Sequence, residues 1–343
     1  MDSVTQIALG AAIGEATLGK KIGNRAVLWG AFCGMFPDLD VLIPLGDAVK
    51  DFTYHRSASH SLFVLTLLTP LFVWLILKLN PKTIQYRKRW ITLVFLAFTT
   101  HILLDCLTVY GTQIFWPLQT PPVMWSTVFI IDPVYSLPLI TGVLLALVLS
   151  RNKLTGHTLN KIGLGLSSLY LVWTIGVKAH VNGVAKETLN LQNISHNQVL
   201  TIAAPFNTLL WRVLVMDDDK YYEGFYSIFD ENRRVTFQQY PIQKQLLDSL
   251  QDHWPVKRLQ WFTHNNYAVE QIQSDIVIKD LRMGLEPVYV FQFKVGEIKE
   301  GSIIPTKSSE VEPEFDLSQL RLVWDRIWTE PSITMTGLSR TNR

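Results

Sequence analysis

The chain changes character near residue 181. Before that point, long apolar runs are separated by short polar ones; after it, the sequence reads as an ordinary water-soluble domain. The clearest run is 61–79, SLFVLTLLTPLFVWLILKL, charged only near its end. Further runs cover 90–110, 127–149 and 162–181, each approaching the roughly 20 apolar residues that a bilayer-crossing helix needs. Two weaker segments come first. Residues 3–18 are rich in Gly and Ala and suit a re-entrant or interfacial piece, and residues 26–45 are broken by Pro37, which cannot continue a helix undisturbed. The pattern predicts five spans and a sixth, partial one.

Beyond 181 the expectation is a small α+β domain. Strands over 210–216 and 221–229, joined by a turn at 217–220, form a hairpin. A helix is expected over 243–253, strands over 274–279 and 288–298 (the second alternating as VYVFQFKV), and a closing helix over 319–328. The resulting fold is an all-α transmembrane helical bundle of five to six segments over 1–181, a soluble α+β domain over 182–330, and a flexible tail over 331–343.

Basic residues orient the bundle, because Lys and Arg accumulate in cytoplasmic loops. One connection carries Lys20, Lys21 and Arg25, another Lys78, Lys82, Arg87, Lys88 and Arg89, and a third Arg151, Lys153 and Lys161. The alternate connections are poor in both, and 107–131 has neither. The basic loops are therefore expected inside and the domain from 182 outside, as in a multi-pass protein of a cytoplasmic membrane. A formal net charge of +2 says little about partners. No basic patch interleaved with aromatics points to nucleic acid. The two cysteines, Cys33 and Cys106, sit in apolar segments, so neither a disulfide nor a cysteine zinc cage is expected. The N-terminus has no basic n-region, and Asp2 and Glu15 flank or interrupt its apolar stretch, unlike a cleavable signal peptide.

The chemistry lies where ionisable residues enter the apolar runs, since such groups are costly at membrane depth and mark function. Threading brings Asp38, Asp40, His55, His60, His101 and Asp105 to one membrane face. His101 and Asp105 are i and i+4 on a helix and can address one ion; the alternative is a His–Asp hydrogen bond. At about 1.5 Å per residue they lie ~17 and ~23 Å along their run. His55 and His60, in YHRSASHS, would be about 140° apart on a helix, so a loop and a helix start near Ser59 or Ser61 are needed to join them; otherwise they are solvated loop residues. Arg56 between them can hold an anionic oxygen or reach to lipid headgroups. Asp38 and Asp40, in FPDLDV, suit a hard or borderline cation at a helix break, or serve as caps. Thr108, Gly111 and the run Phe115, Trp116, Pro117 line a pocket mouth or an interfacial aromatic belt. Asp132 is an additional ligand or an N-cap. Asp2, Gln6 and Glu15 are minor candidates, His180 is an interfacial histidine, and His157, His196, His253 and His264 have no partner spacing.

The segments MDSVTQIALGAAIGE, FPDLDVL, HRSASHSL, HILLDCLTVYGTQIFWP and FIIDP resemble the YdjM-like family, bacterial inner-membrane-associated proteins regarded as metal-dependent hydrolases, one member of which is linked to LexA regulation. The resemblance is good over roughly the first 135 residues and looser through LLWRV and KDLRMG, where it singles out Trp211, Arg212, Asp280 and Arg282, read here as structural pairs. More distantly, Asp, then His, then His-x3-Asp is the order of ligands in zinc phospholipase C and related nucleases. The chain lacks their later His-x3-Glu, so the resemblance implies one or two ions rather than three.

These readings converge on a metal-dependent hydrolase of a phosphoester or other ester in a lipid-like substrate. Asp38, Asp40, His55, His60, His101 and Asp105 are the metal candidates, with Zn favoured and Mn or Mg the alternatives. Asp38, Asp40 and Arg56 are the catalytic candidates, a free carboxylate acting as base or orienting the water. Membrane lipids are the expected partners. Two alternatives stand beside it: a non-enzymatic membrane scaffold or stress-response protein with a structural metal, and an ion- or proton-coupled transporter. The gathering of the polar residues at one face, and the lack of an inverted repeat, weigh against transport.

Overall fold

The computed structural model describes residues 1–149, 155–313 and 318–330. The expected tail, 331–343, and the basic residues Arg151 and Lys153 lie outside them. The N-terminal part is helical. Helix α1 (Ser3–Gly14) is capped by Asp2, which accepts from the Thr5 amide, and runs through a π-turn (Glu15–Gly19) into α2 (Lys20–Ile22). Helix α3 (Asn24–Met35) then gives way at Pro37 to a 3₁₀ stretch, Phe36–Leu42. The short α4 (Ala48–Tyr54) starts at an Asp47 cap, and α5 (Leu62–Leu79) starts at Ser61. Helix α6 (Arg87–Cys106) returns, followed by α7 (Pro133–Val148) and the long α8 (Thr155–Leu191).

Of the five to six spans expected, three helices among the described residues are long and apolar enough to cross a membrane: Leu62–Leu79, Pro81–Cys106 and Thr155–Leu191. Helices α3 and α7 have 12 and 16 residues, short of the roughly 20 required, and the helical run from α1 through α2 carries Glu15, Lys20 and Lys21. The run at 127–149 is curtailed because Asp132 accepts from the Val134 and Tyr135 amides and caps α7 at Pro133.

Helices α1 and α3 meet through glycines. A Cβ on Gly10 would lie 2.2 Å from the Gly30 carbonyl oxygen, and one on Gly34 would lie 2.4 Å from that of Gln6. Close backbone approach through small residues four apart is how helices associate where no hydrophobic effect drives them together. The same device joins α7 to α8, where a Cβ on Gly163 would fall 2.3 Å from the Pro138 carbonyl oxygen.

Helix α8 has 37 residues, or about 55 Å at 1.5 Å per residue, far more than a bilayer core of ~30 Å. Its first half presents Ile162, Leu166, Leu169, Val172 and Trp173 outward. From Val177 onward its apolar face is buried against the C-terminal domain. The expected end of the membrane domain at 181 therefore falls within a continuous helix.

The C-terminal part contains more sheet than expected. Strands β1 (Gln198–Ala203), β2 (Leu210–Met216), β3 (Lys220–Ser227) and β4 (Thr236–Pro241) form one antiparallel meander. In a second antiparallel sheet, β5 (Tyr267–Ile272), β6 (Asp275–Asp280), β9 (Gln292–Lys299) and β10 (Ser302–Glu310) take the order β10-β9-β6-β5. The β2–β3 hairpin matches the expectation, with Met216 opposite Tyr221. Two expectations change. The helix at 243–253 is a 3₁₀ stretch, Lys244–Leu250, followed by α9 (Trp254–Phe262), because Pro255 at the first turn starts a new helix. The strand at 288–298 is split. Val288–Tyr289 (β8) pairs with Gly284–Leu285 (β7), whose glycine has φ +125°, and only the remainder joins β6. Helix α10 (Ser318–Arg326) closes the chain.

Trp211 is fully buried, Arg212 pairs with Glu223, and Arg282 binds the Asp280 carboxylate at 2.6 Å. Arg282 also donates to the Tyr110 carbonyl oxygen at 2.9 Å, tying the sheet domain to the helices. Phe52 of α4 and Tyr110 pack with Phe262 and Phe293 in one shared core, so the domain sits directly over the end of the bundle that carries α4.

Candidate metal centre

Four side chains converge at that end. The 3₁₀ stretch supplies Asp38, the segment before α5 supplies His60, and α6 supplies His101 and Asp105. One ligand atom from each lies within 4.8 Å of all the others. His60 Nε2 is 3.1 Å from His101 Nε2, 3.1 Å from Asp105 Oδ2 and 3.3 Å from Asp38 Oδ1. His101 Nε2 is 3.5 Å from Asp38 Oδ1 and 3.6 Å from Asp105 Oδ2. A regular tetrahedron around zinc, with ligands at about 2.0–2.1 Å, has edges of about 3.3–3.4 Å. The five distances bracket that value.

Hydrogen bonding on the far sides of the rings fixes which nitrogens face inward. His101 Nδ1 lies 2.7 Å from the Gly34 carbonyl oxygen, which can only accept. That nitrogen therefore carries a proton and donates, and Nε2 turns toward the cluster. Ser59 Oγ donates to Asp40 Oδ2 at 2.5 Å and so accepts from His60 Nδ1 at 2.9 Å, which turns His60 Nε2 inward as well. Two imidazole Nε2 atoms and two carboxylates then face one another. His60, His101 and Asp105 are completely buried, and Asp105 Oδ2 and Asp38 Oδ2 have no hydrogen-bond partner. Asp105 is also paired with Arg56 and the Met1 α-amino group; the two N and two O donors at these spacings are a set that suits a divalent cation.

The six metal candidates thus divide. Asp38, His60, His101 and Asp105 form the cluster. Asp40 and His55 do not join it: His55 Nδ1 is 2.8 Å from Asp40 Oδ1, and Asp40 also accepts from the Arg56 amide at 3.2 Å. The reason is angular. Residues two apart in a 3₁₀ turn point about 120° from each other, so one carboxylate faces in and the other out. Burial pushes the Asp40 carboxyl up, but the His55 and Ser59 hydrogen bonds and nearby His60 outweigh it and hold it below the usual range. The arrangement Asp40–Ser59–His60 orients a ligand from behind, a role whose loss weakens metal binding by about 10–100-fold. Ser59→Ala and Asp40→Asn are therefore expected to lower metal affinity at least about tenfold while the four ligands remain. Competition with a chromophoric chelator measures this, and unchanged affinity in both variants would remove the relay.

Arg56 is buried at φ +60°. Its Nε lies 3.2 Å from Asp105 Oδ2, its Nη1 donates to Thr108 Oγ1 at 3.1 Å, and its guanidinium lies over the Tyr110 ring at 4.9 Å. Asp105 Oδ1 accepts from Gln6 at 3.0 Å and pairs with the Met1 α-amino group. Of the minor candidates, Gln6 therefore reaches the centre, whereas Asp2 caps α1 and Glu15 faces His157. Asp132 caps α7 and accepts from the Tyr170 hydroxyl. His180 meets Tyr226, while His253 and His264 bond backbone carbonyls. The Gly34 carbonyl and the Met1 amine were not foreseen. The signal for the first was the spacing of Gly30 and Gly34, which lets α1 come close beneath His101.

A cleft of about 760 Å³ begins at Asp40, His55 and Ser59 and is walled by Val41, Ile43, Leu45 and Trp116. Val41, Leu42 and Ile43 are 70%, 74% and 65% exposed, an apolar rim suited to lipid. At the other end of the bundle, Arg89 donates to the Thr17 carbonyl oxygen at 3.1 Å and His157 stands 3.4 Å from Glu15. The connections bearing the basic residues thus meet opposite the cluster.

The family model described as YdjM inner membrane protein matches residues 1–181, which include every residue of the cluster. No curated protein and no solved structure matches the chain.

Proposed function

The chain belongs to the YdjM inner membrane protein family, and from that premise we propose that it is a multi-pass, membrane-bound, metal-dependent hydrolase. Its substrate is a phosphoester or other ester of a lipid-like molecule. The observation that carries this reading is the convergence of two imidazole Nε2 atoms and two carboxylates within 4.8 Å of one another. One ion fits that set, with Zn favoured over Mn or Mg by its nitrogen donors. A bound divalent cation supplies an acidified water and a Lewis acid for the phosphoryl or acyl oxygen. Asp38 is the partly exposed member, and its Oδ2 lacks a partner; it takes the proton from the attacking water. Arg56 holds the anionic oxygen. The apolar cleft receives the tail. The basic end lies in the bacterial cytoplasm and the sheet domain outside, following the charge bias.

One observation favours a second reading. Four protein side chains offer a ligand atom each, and a full set of four protein ligands is the habit of structural sites, whereas catalytic ones keep a position open. In that case the protein is a scaffold whose ion holds α6, the 3₁₀ stretch and the start of α5 together. The two readings separate by experiment. Purified protein in phosphatidylcholine nanodiscs is expected to carry stoichiometric metal and to release phosphate or acid from short-chain phospholipids. Asp38→Asn should abolish that release. Full metal occupancy with no hydrolysis of phosphate or carboxylic esters would overturn the enzyme in favour of the scaffold; absence of metal would overturn both.

A further inference from the structure

A second cleft, of about 480 Å³, adjoins the apolar one, and Tyr54 and Trp116 line both. Its remaining walls come largely from α9, across the seam between the helices and the sheet domain. Such seams are where ligand sites concentrate. The Arg258 guanidinium lies over the Tyr54 ring at 4.7 Å and over the Trp261 ring at 4.2 Å. Its Nε donates to Thr53 Oγ1 at 3.0 Å, which fixes the fork. Trp254 runs parallel to Tyr54, 10° between planes and 6.5 Å between centroids. Lys257 is 59% exposed at its side chain and pairs with the exposed Asp252 at 2.8 Å; Gln119 lines the same space, and so does Gln113, whose amide is bonded to the Thr53 carbonyl oxygen and to Arg258.

Each part has a chemical counterpart. Flat aromatic faces take the C–H face of a sugar ring, amides take its hydroxyls, and a rigid guanidinium with a neighbouring ammonium takes an anionic group. An acyl chain finds its place next door, in the apolar cleft. We propose that the Tyr54–Trp254–Arg258 cleft binds an anionic saccharide, the head group of an amphiphile whose tail lies in the adjoining cleft. The assignment of head and tail to one molecule rests on the hydrolase reading; the saccharide site itself does not.

The test uses full-length protein in phosphatidylcholine nanodiscs, carrying His101→Ala so that binding is read without turnover or metal. Ligand-observed NMR titration with glucose 1-phosphate is expected to show binding stronger than that of inorganic phosphate or of adenosine monophosphate. Trp254→Ala and Lys257→Gln, both at exposed positions, should each weaken it at least about threefold. Nanodiscs doped with phosphatidylinositol should displace it. Absence of binding, preference for the nucleotide, or indifference to both substitutions would overturn the saccharide site. Binding without displacement by the lipid would overturn the head-group assignment. None of these outcomes touches the metal content and ester hydrolysis of the wild type, on which the hydrolase reading stands or falls.

Discussion

His101→Ala is expected to abolish metal binding, lowering affinity by more than the roughly 100-fold that loss of an orienting group alone can cost. The imidazole is wholly buried, its Nδ1 is held by the Gly34 carbonyl, and its Nε2 stands 3.1–3.6 Å from the other three ligand atoms. His60 is the other histidine of the cluster among the described residues. Elemental analysis of detergent-purified protein, wild type beside variant, reads the occupancy directly. Thermal unfolding gives an independent measure, because an ion that binds only the folded state raises stability as its concentration exceeds the dissociation constant. Added zinc should raise the unfolding temperature of the wild type and leave the variant unmoved. Truncation also opens a cavity, so Ile102→Ala is the proper comparison: its neighbouring side chain is equally buried. That variant should lose about 2–5 kcal/mol of stability and keep its ion. A His101→Ala protein that retained metal, or its response to zinc, would remove the centre.

The cluster was partly legible because helical spacing is local. His101 and Asp105, four apart, need only the helix to share a face. Asp38 and Asp40 could not be told apart in this way, since the inward member depends on where a 3₁₀ turn sits against α6. For His55 and His60 the decisive element is the loop between them, where Arg56 takes a left-handed φ of +60° and His60 ends a short 3₁₀ turn before the Ser61 cap. The C-terminal domain was harder still. The β2–β3 hairpin pairs neighbours in sequence and was readable, whereas β9 pairs with β6 across the β7–β8 hairpin. Alternation identifies a strand but not its distant partner. Span counting is matched for three helices only: hydropathy weighs α3 and α7 by composition, while the 3₁₀ stretch at Pro37 and the Asp132 cap set where they end or begin.

Gly34→Ala is the substitution that joins fold to chemistry, and it is expected to act on both. The added methyl would fall 2.4 Å from the Gln6 carbonyl oxygen, a contact only backbone movement can relieve. Gly34 and Gln6 are also the residues that steady the centre: the first accepts from His101 Nδ1, and the second donates to Asp105 Oδ1 and to the His101 carbonyl oxygen. Prying α1 from α3 therefore disturbs two ligands from behind. Stability should fall by about 1–3 kcal/mol, the usual cost of overpacking, and metal affinity by about 10–100-fold. Gly165 and Gly176 on α8 provide the control, since a Cβ on either meets nothing within 4 Å. Alanine there should leave metal binding intact and raise stability slightly, by up to about 1 kcal/mol, through helix propensity. Chelator competition and thermal unfolding in the same nanodiscs compare the three variants. If Gly34→Ala behaves like Gly165→Ala, then α1 and α3 do not make the close contact that sets the Gly34 carbonyl beneath His101. The Gly34 carbonyl would then not be the group that turns His101 Nε2 toward the cluster.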